Sequence, residues 1–384
     1  MKNIKYKSFS SFFNLFKKLF ETKNNNVTFI TVHKGNLEDN LGFVYKELIK
    51  RNSNFNYTFI SKEEYSFSEI NSLASFLHKI IEIVRLFLFK SYKMATSRYI
   101  LLNDNFLPMA YMNFNSEDVV IQLWHGAGAF KRFGLSSTAN QDLIELEQLI
   151  SEKLDHIIVS SKNIAPFYEE AFGVDSEKIL ALGIPSTDYY FKKHDLNELR
   201  MKFEDKYPKA KNKKIVLYAP TFRENEKMDE NLIENFDIEL FNNELGSEYI
   251  LCIRLHPQIN KKASLNQENV INLTDYPDEK ELLLLADILI TDYSSIMIEY
   301  TLLNKPLIFY PYDYEYYLDS ERGFYFNYKN TVPGPIARTN KELINIIKEN
   351  NYDFKKINDF KTYQFDHTDG NSSKRVVDLL YDHK

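Results

Sequence analysis

The sequence lacks the features that mark secreted, metal-dependent or P-loop proteins. Its single cysteine, Cys252, has no partner for an intrachain disulfide and sits in an apolar strand pattern. That position favours a reducing compartment and argues against a catalytic thiol. No C-x-x-C, H-E-x-x-H, EF-hand or Walker A pattern occurs, so no metal ion and no other cofactor is expected. Structural-metal and P-loop interpretations are therefore not supported.

Long apolar runs are also missing from the sequence. No stretch reaches the roughly 18 uninterrupted apolar residues that a transmembrane helix needs, and the first residues do not have the pattern of a signal peptide. With 384 residues, 44% hydrophobic and 27% charged, the chain has the composition of a folded protein large enough for two domains.

Residues 1–23 combine aromatic side chains with six lysines and one glutamate, although the whole chain has a formal charge of −6. Phe9, Phe13 and Phe16 recur at helical spacing, so one helix face is aromatic and the other basic. This pattern predicts a helix on an anionic membrane surface, with a polar break at 24–26 before the first strand. Residues 76–92 are a second candidate. For both segments, the alternative is packing against the protein's own core.

The acidic remainder of the chain argues against nucleic-acid binding.

The most informative segment spans residues 119–134, where an apolar run leads into a glycine-rich, basic sequence. Its notable residues are Trp124, His125, Gly126, Gly128, Lys131 and Arg132. The glycines predict a turn whose backbone can approach an anion, and the two cations predict the positive start of a helix. A phosphate would then lie beside the histidine. The alternative is a tight turn with a core tryptophan and a satisfied histidine.

Three later segments, 215–224, 249–257 and 287–300, repeat the pattern of an apolar strand followed by polar residues. The polar residues at their ends are Arg223, Arg254, His256, Thr291, Asp292, Ser294, Ser295 and Glu299. Because ligands of open α/β sheets bind outside the carboxyl ends of the strands, we expect these ends to meet at one crevice. One of the two serines is a natural N-cap for the next helix. Asp313, after a further strand, is either a turn acid or a crevice residue.

Six motifs, in order, resemble the CDP-glycerol glycerophosphotransferase family of teichoic acid and capsule biosynthesis. They are WHGAGAFKRFG, YAPTFRE, RLHP, TDYSSIMIEY, KPLIFYPYD and DGNSSKRV, and the resemblance runs from Tyr99 to Val377. The glycine-rich motif is more similar to the short, primase-type members than to the long polymerases. Ser186 is a departure, since the family leads us to expect an arginine there.

The resemblance implies a GT-B-like α/β fold, with two doubly wound Rossmann-like domains facing a central cleft. The expected domains are a basic membrane-associating arm (1–23), an acceptor domain (24–195), a CDP-donor domain (196–365) and a C-terminal helix (366–384) that can pack back on the first domain. The implied reaction transfers glycerol phosphate, or a related polyol phosphate, from CDP-glycerol or CDP-ribitol to an acceptor hydroxyl and releases CMP. The acceptor would be a lipid-linked saccharide or growing polymer at the cytoplasmic face of the cell membrane.

Within this reaction, His125 is the candidate general base and His256 the candidate donor to the transferring phosphate, because histidine can do either near neutral pH. The candidate substrate-binding residues are Lys131 and Arg223 for pyrophosphate, Ser294 and Ser295 for its oxygens, Asp292 or Glu299 for ribose or glycerol hydroxyls, and Gly126, Gly128, Arg254, Thr291 and Asp313. The two hydroxyl-binding carboxylates have the alternative of capping or pairing within the helix. Ser372 and Ser373 mark another helix start that is either an anion site or a cap.

Two other classes of function stay open in the sequence. A GT-B glycosyltransferase that uses a nucleotide sugar would share the architecture, and it would release a nucleoside diphosphate instead of CMP. A non-catalytic membrane- or polymer-binding module would have no use for two histidines and several anion sites at one cleft. The residues do not distinguish CDP-glycerol from CDP-ribitol, or a single addition from polymerisation.

Overall fold

The structure is a computed structural model that describes residues 2–31, 39–51, 54–61, 64, 80–138, 140–223, 232–256, 269–321 and 323–382. It divides into two compact units. The first unit comprises Met1–Ala127, Phe133–Asp188 and Phe365–Lys384, and the second comprises Gly128–Arg132 and Tyr189–Gln364. Each unit contains its own parallel sheet with helices, so the predicted α/β class with two Rossmann-like domains is confirmed.

The strands are β1 Lys23–Thr31, β2 Asn56–Ser61, β3 Ser97–Leu102, β4 Val119–Gln122, β5 His156–Ile158, β6 Ile179–Leu180, β7 Lys214–Tyr218, β8 Tyr249–Ile253, β9 Val270–Asn272, β10 Ile288–Thr291 and β11 Leu307–Phe309. The helices are α1 Lys2–Leu19, α2 Asn40–Lys50, α3 Ser91–Ala95, α4 Gln141–Ser151, α5 Ala165–Phe172, α6 Leu196–Lys206, α7 Ile238–Leu245, α8 Glu279–Leu285, α9 Ile296–Thr301, α10 Tyr314–Ser320, α11 Tyr328–Thr331, α12 Asn340–Glu349, α13 Phe354–Gln364 and α14 Ser372–Asp382. A π-helical turn, Arg85–Lys90, precedes α3.

The first unit is built on six described strands in the order β2-β1-β3-β4-β5-β6. All are parallel, and Leu102 at the end of β3 is in register with Gln122 at the end of β4. The C-terminal helix α14 belongs to this unit, because its Val376, Val377 and Leu380 are buried in the same core as β1, β3 and β4. Parallel registration therefore brings the residues that follow β3 and β4 to one edge of the sheet.

The second unit has five described parallel strands in the order β11-β10-β7-β8-β9. Tyr218, the last residue of β7, is in register with Ile253 of β8 and with Ile290 of β10. Three of the polar segments predicted from the sequence thus leave the sheet at one edge, as expected for parallel strands.

Helix α1 is an integral part of the first unit. Phe9 and Phe13 are buried, and the hydroxyl of Ser10 donates to the Pro108 carbonyl at 2.6 Å. Lys17 is also buried, and its ammonium donates to Asp118 at 2.6 Å. Phe9 and Phe13 therefore pack on the protein, which is the alternative that the sequence left open, whereas association of residues 1–23 with a membrane stays a prediction.

Strand β1 begins where the sequence predicted a polar break, and that prediction is also wrong. Lys23 already pairs with Ser97 of β3, and Asn26 pairs with Asn56 of β2. The Asn56 amide donates to the Asn26 side-chain oxygen at 3.1 Å. Asparagine is tolerated inside this strand because strands on both sides satisfy its polar groups.

The second membrane candidate, residues 76–92, is described from residue 80 onward, and 76–79 lie outside the described residues. Phe87 packs against Phe9 and Phe12 of α1, with ring centroids 5.7 Å apart in both pairs. The exposed apolar side chains are Ile80, Ile81, Ile83, Val84, Leu88 and Phe89. Among the described residues, no helix combines the length and apolar character needed to cross a bilayer.

Candidate active site

The first predicted catalytic residue, His125, follows a strained turn after β4. Trp124 has a φ of 53°, which places a bulky residue in the left-handed region. The buried Gln122 side chain accepts a hydrogen bond from the Trp124 N–H at 2.9 Å and donates to the Asp104 carbonyl at 3.1 Å. The Asn40 amide donates to the Trp124 carbonyl at 2.8 Å. Two buried amide side chains thus hold the turn in place.

The His125 side chain is exposed and stands against the Trp124 ring, with centroids 4.3 Å apart. Its Nδ1 lies 3.8 Å from Oδ2 of Asp104. The Trp124 ring is fixed in turn by Phe133 and Phe172, each at 5.3 Å. An exposed imidazole on a fixed turn is suited to proton exchange with a bound substrate.

The helix predicted after the glycines is absent from residues 128–133, all of which the structure describes. Residues 130–132 instead pair with 323–325 through backbone hydrogen bonds of 2.9 and 3.2 Å, and Lys131 forms a bridge with Phe324. In this strand-like pairing the Arg132 N–H donates to the Gly323 carbonyl, and the Phe130 carbonyl accepts from the Tyr325 N–H. The segment is therefore extended and offers no helix N-terminus for a phosphate. That part of the prediction is wrong, whereas phosphate binding by the half-buried Lys131 stays a prediction.

The two glycines of the motif have different surroundings. Gly128 has a φ of 66°, and a Cβ there would lie 2.1 Å from the Gln364 side-chain oxygen. Gln364 bonds both the N–H and the carbonyl of Ala129, each at 3.1 Å, so packing in the second unit requires Gly128. A Cβ on Gly126 would meet no atom within 4 Å. Protein packing therefore gives no reason for a glycine at position 126, and close approach of a ligand there stays a prediction.

Arg223, Asp292 and Asp313 come together in a buried ion-pair cluster of the second unit. The guanidinium of Arg223 donates to Asp313 at 2.8 and 2.9 Å and to Asp292 at 2.9 Å. Burial opposes its charge, but the two carboxylates raise the pKa of Arg223 well above its ordinary value. The guanidinium also lies over the rings of Tyr293 and Tyr317, at 5.1 and 5.3 Å. This geometry favours a structural role, and ligand contact by the three residues stays a prediction.

The remaining residues of the third strand-end motif divide into buried and exposed positions. Thr291 is buried and donates its hydroxyl to the Ala219 carbonyl at 2.7 Å. Ser294 accepts a backbone N–H of the same turn at 3.4 Å. Ser295 is exposed and occupies the N-cap position of α9 without a side-chain cap hydrogen bond. Of the three, Ser295 presents its hydroxyl most openly.

Glu299 on α9 accepts a hydrogen bond of 2.8 Å from the Tyr190 hydroxyl. Burial raises the pKa of Tyr190 well above its ordinary value, and the charge of Glu299 raises it further. The tyrosine therefore acts as a donor to this carboxylate. The pairing predicted as an alternative is present, although its partner lies outside the helix.

The second predicted catalytic residue, His256, is exposed beyond the end of β8. Its ring packs against Phe222, with centroids 4.6 Å apart. Arg254, two residues earlier, turns away from this position, donating to the Tyr276 carbonyl at 2.8 Å and to Glu279 at 3.4 Å. The structure thus uses Arg254 to join β8 to the loop before α8, while His256 keeps its imidazole at the surface. The residues that follow, 257–268, lie outside the described part of the chain.

The start of α14 is capped by a carboxylate of the protein itself. Asp188 accepts hydrogen bonds of 2.8 Å from the N–H groups of Ser372 and Ser373, and 2.6 Å from the Ser373 hydroxyl. Nearby, Arg375 pairs with Asp369 at 2.8 Å. Of the two predicted roles for this helix start, the cap is the one present, because Asp188 already occupies the position of an anion.

Sequence reasoning missed Asp104, Asn40 and Gln122, which surround the turn that carries His125. Asp104 had a usable signal in the sequence, because it follows an apolar strand just as the predicted site residues at the other strand ends do. Asn40 and Gln122 had none: one begins a helix and the other ends a strand, and only the fold shows that their amides bond the same turn.

Structural comparison defines the class of the fold. The chain superposes on the wall teichoic acid polymerase TagF, in a variant soaked with CDPG, with a TM-score of 0.77 and 25% identity. The match covers 98% of this chain and 93% of that chain. The architecture is therefore that of the GT-B-like transferases, as predicted.

The family follows from the sequence. Residues 11–382 match the family described as CDP-glycerol:poly(glycerophosphate) glycerophosphotransferase, and the chain belongs to that family. A teichoic acid poly(ribitol-phosphate) polymerase of Bacillus spizizenii is 36% identical over 94% of this chain, which spans 57% of that longer protein. A teichoic acid ribitol-phosphate primase of the same organism is 33% identical over 97% of this chain and 95% of its own length.

Proposed function

We propose that the chain transfers a polyol-phosphate unit from a CDP-polyol to an acceptor hydroxyl in teichoic acid or capsule biosynthesis, and releases CMP. The observation that carries this proposal is the family match over residues 11–382, which contains all six motifs. Two relatives act on ribitol phosphate, whereas the family description and the CDPG soak of TagF point to glycerol. CDP-glycerol and CDP-ribitol are therefore both candidate donors.

The proposed chemistry begins with the acceptor hydroxyl, which attacks the β-phosphorus of the donor. A new O–P bond forms, the bond between that phosphorus and the CMP oxygen breaks, and the hydroxyl proton passes to His125. The support is that His125 is exposed, stands on a turn held by buried amides and has a carboxylate near Nδ1. A base held in a fixed position accelerates proton transfer more than a mobile one, because it is already oriented toward the substrate before the reaction.

His256 is proposed to donate to an oxygen of the transferring phosphate, where negative charge must be stabilised. Its exposed ring rests on Phe222 at the carboxyl edge of the second sheet, where ligands of α/β sheets bind. Ser295 lies at the start of α9 beyond β10, which is separated from β8 by β7 in the same sheet, and it offers an exposed hydroxyl for the same phosphates. Lys131 is the remaining candidate cation.

The acceptor is proposed to be lipid-linked, which would place the protein peripherally on the cytoplasmic face of the membrane. The support is a surface that we call the apolar ridge, formed by the exposed side chains Ile80, Ile81, Ile83, Val84, Leu88 and Phe89, together with Ile4, Leu15 and Leu19 on the outer face of α1. Lys7 and Lys18 are exposed on that same face. Each lysine near an anionic surface contributes about 1 kcal/mol to binding.

The test of the reaction is to incubate the purified protein with CDP-glycerol, CDP-ribitol and UDP-sugars, each with candidate acceptors, and to identify the nucleotide released. CMP release from one CDP-polyol, dependent on an acceptor, is the expected result. Release of a nucleoside diphosphate from a UDP-sugar, with no reaction of either CDP-polyol, would replace the proposal with the glycosyltransferase alternative.

The membrane proposal is tested with Phe89→Ser in the apolar ridge and Phe354→Ser as a matched control, since Phe354 is a similarly exposed phenylalanine in the second unit. Co-sedimentation with vesicles containing anionic lipid should fall for Phe89→Ser alone. Equal sedimentation of the two variants would leave the ridge without a role in membrane binding.

A further inference from the structure

Asp104 lies beside His125 at the carboxyl edge of the first sheet. It is the second residue after β3, and His125 is the third after β4; the two strands are neighbours in register. One carboxylate oxygen, Oδ1, accepts the Asn105 N–H at 2.7 Å. The other, Oδ2, lies 3.8 Å from Nδ1 of His125.

The relative position of these two residues is fixed by one side chain. Gln122 donates to the backbone carbonyl of Asp104 and accepts the N–H of Trp124, the residue that precedes the histidine. The Trp124 turn keeps a left-handed φ of 53° that is unfavourable for a large side chain. Because local sterics disfavour this conformation, we attribute it to the hydrogen bonds that Gln122 and Asn40 make to Trp124. These bonds place the imidazole next to the Asp104 carboxylate.

We infer that Asp104 is a positioning residue for His125, a role that rests on the proposed function of His125 as the base. A carboxylate facing Nδ1 favours the imidazole tautomer with its proton on Nδ1, which leaves the lone pair of Nε2 to receive the acceptor proton. The imidazolium that forms is stabilised by the negative charge of Asp104, and it later returns its proton to solvent. Asp104 itself neither receives the proton nor touches the substrate.

A second carboxylate, Glu147 on α4, faces Asp104. Burial raises the pKa of Glu147 above its ordinary value, and the charge of Asp104 raises it further. The positioning role is assigned to Asp104 because its Oδ2 faces Nδ1 of His125. In addition, the Gln122 side chain bonds both the Asp104 carbonyl and the N–H of Trp124 in the turn. Glu147→Gln should therefore affect turnover less than a change at Asp104 does.

The main variant is Asp104→Asn, which keeps the side-chain oxygen that accepts the Asn105 N–H and removes the charge. The kcat for CMP release should fall roughly 10- to 100-fold, as for other residues that orient a reactive group. Donor affinity and melting temperature should change little, and Asp104→Glu should restore part of the loss. Asp155→Asn is the matched control, since Asp155 accepts the Val120 N–H at 2.8 Å at the opposite end of β4.

A second measurement detects the tautomer directly, by nitrogen NMR of protein labelled at histidine, with the His125 signal identified by its loss in His125→Gln. The wild-type protein should show His125 with its proton on Nδ1, and Asp104→Asn should shift the population toward Nε2. A wild-type Nε2 proton, or full turnover of Asp104→Asn while His125→Ala is inactive, would overturn the inference. Full turnover of His125→Ala would instead reject the proposed base, and the NMR result would still decide whether Asp104 orients the ring.

Discussion

Lys17→Met tests whether α1 is part of the folded first unit or a detachable membrane arm. The Lys17 ammonium donates to Asp118 at 2.6 Å, Thr22 at 2.9 Å and the Ala95 carbonyl at 3.0 Å, so all three of its protons are used. The Lys17 and Asp118 side chains are 4% and 0% exposed. A methionine side chain is similar in length to that of lysine, but it leaves the Asp118 carboxylate buried without its counter-charge.

Breaking a buried pair from one side costs about 3–5 kcal/mol, because the remaining charge stays desolvated. For a unit of roughly 200 residues, each kcal/mol lowers the melting temperature by about 2–4 °C, so the first unit should melt about 6–20 °C lower. The measurement is differential scanning calorimetry of the full chain. Adding Asp118→Asn should recover most of the loss, since the asparagine oxygen still accepts the Asn115 N–H that now bonds Asp118 at 2.8 Å.

An unchanged melting temperature for Lys17→Met, together with lost vesicle binding, would refute this reasoning and return α1 to a membrane arm. Removing residues 1–23 would also remove buried Phe13 and the first residue of β1, so the loss of membrane binding could not be separated from unfolding.

Three further predictions concern the site. His125→Ala and His256→Ala should each lower CMP release by a factor of about 10² or more. His156→Ala, at the start of β5, is the control and should act only through stability. Near-native turnover of both His125→Ala and His256→Ala would contradict the two-histidine mechanism. Gly128→Ala should cost about 1–3 kcal/mol in a denaturant titration, because its φ is left-handed and the new Cβ would meet Gln364. Gly126→Ala should leave stability unchanged, because its Cβ would meet no atom within 4 Å, and it should lower turnover if a ligand approaches this glycine as predicted. Calorimetric binding of CDP-glycerol or CDP-ribitol should survive chelator, and its loss would show a metal requirement.

The sequence was sufficient to locate the strand ends because buried parallel strands are apolar over their whole length. The runs at β7, β8 and β10 are bounded by polar residues, so their ends and their shared edge could be predicted. Amphipathic helices gave less information. The periodicity of α1 shows that one face is apolar, but it does not show whether lipid or protein covers that face.

Long-range polar partners could not be predicted from spacing. Asp188 caps α14 across 184 residues of sequence, and Lys17 meets Asp118 across 101. Local rules identify a helix start as an anion site, yet they do not show whether the anion belongs to the protein or to a ligand. The predicted helix after the glycines failed for a related reason, since the segment pairs with residues 323–325, which no local rule connects to it.

The polar residues of the motifs therefore fall into two groups, one with buried side chains and one with exposed side chains. Arg223 and Asp292 are buried and neutralise one another, so replacing either should first be measured as a loss of stability. His125, His256 and Ser295 are exposed at the carboxyl edges of their own sheets. Because Asp292 and Asp313 already neutralise Arg223, we expect other groups to meet most of the charge of a bound pyrophosphate. Changes at the exposed residues should then alter donor binding and turnover, and this difference makes the two groups experimentally separable.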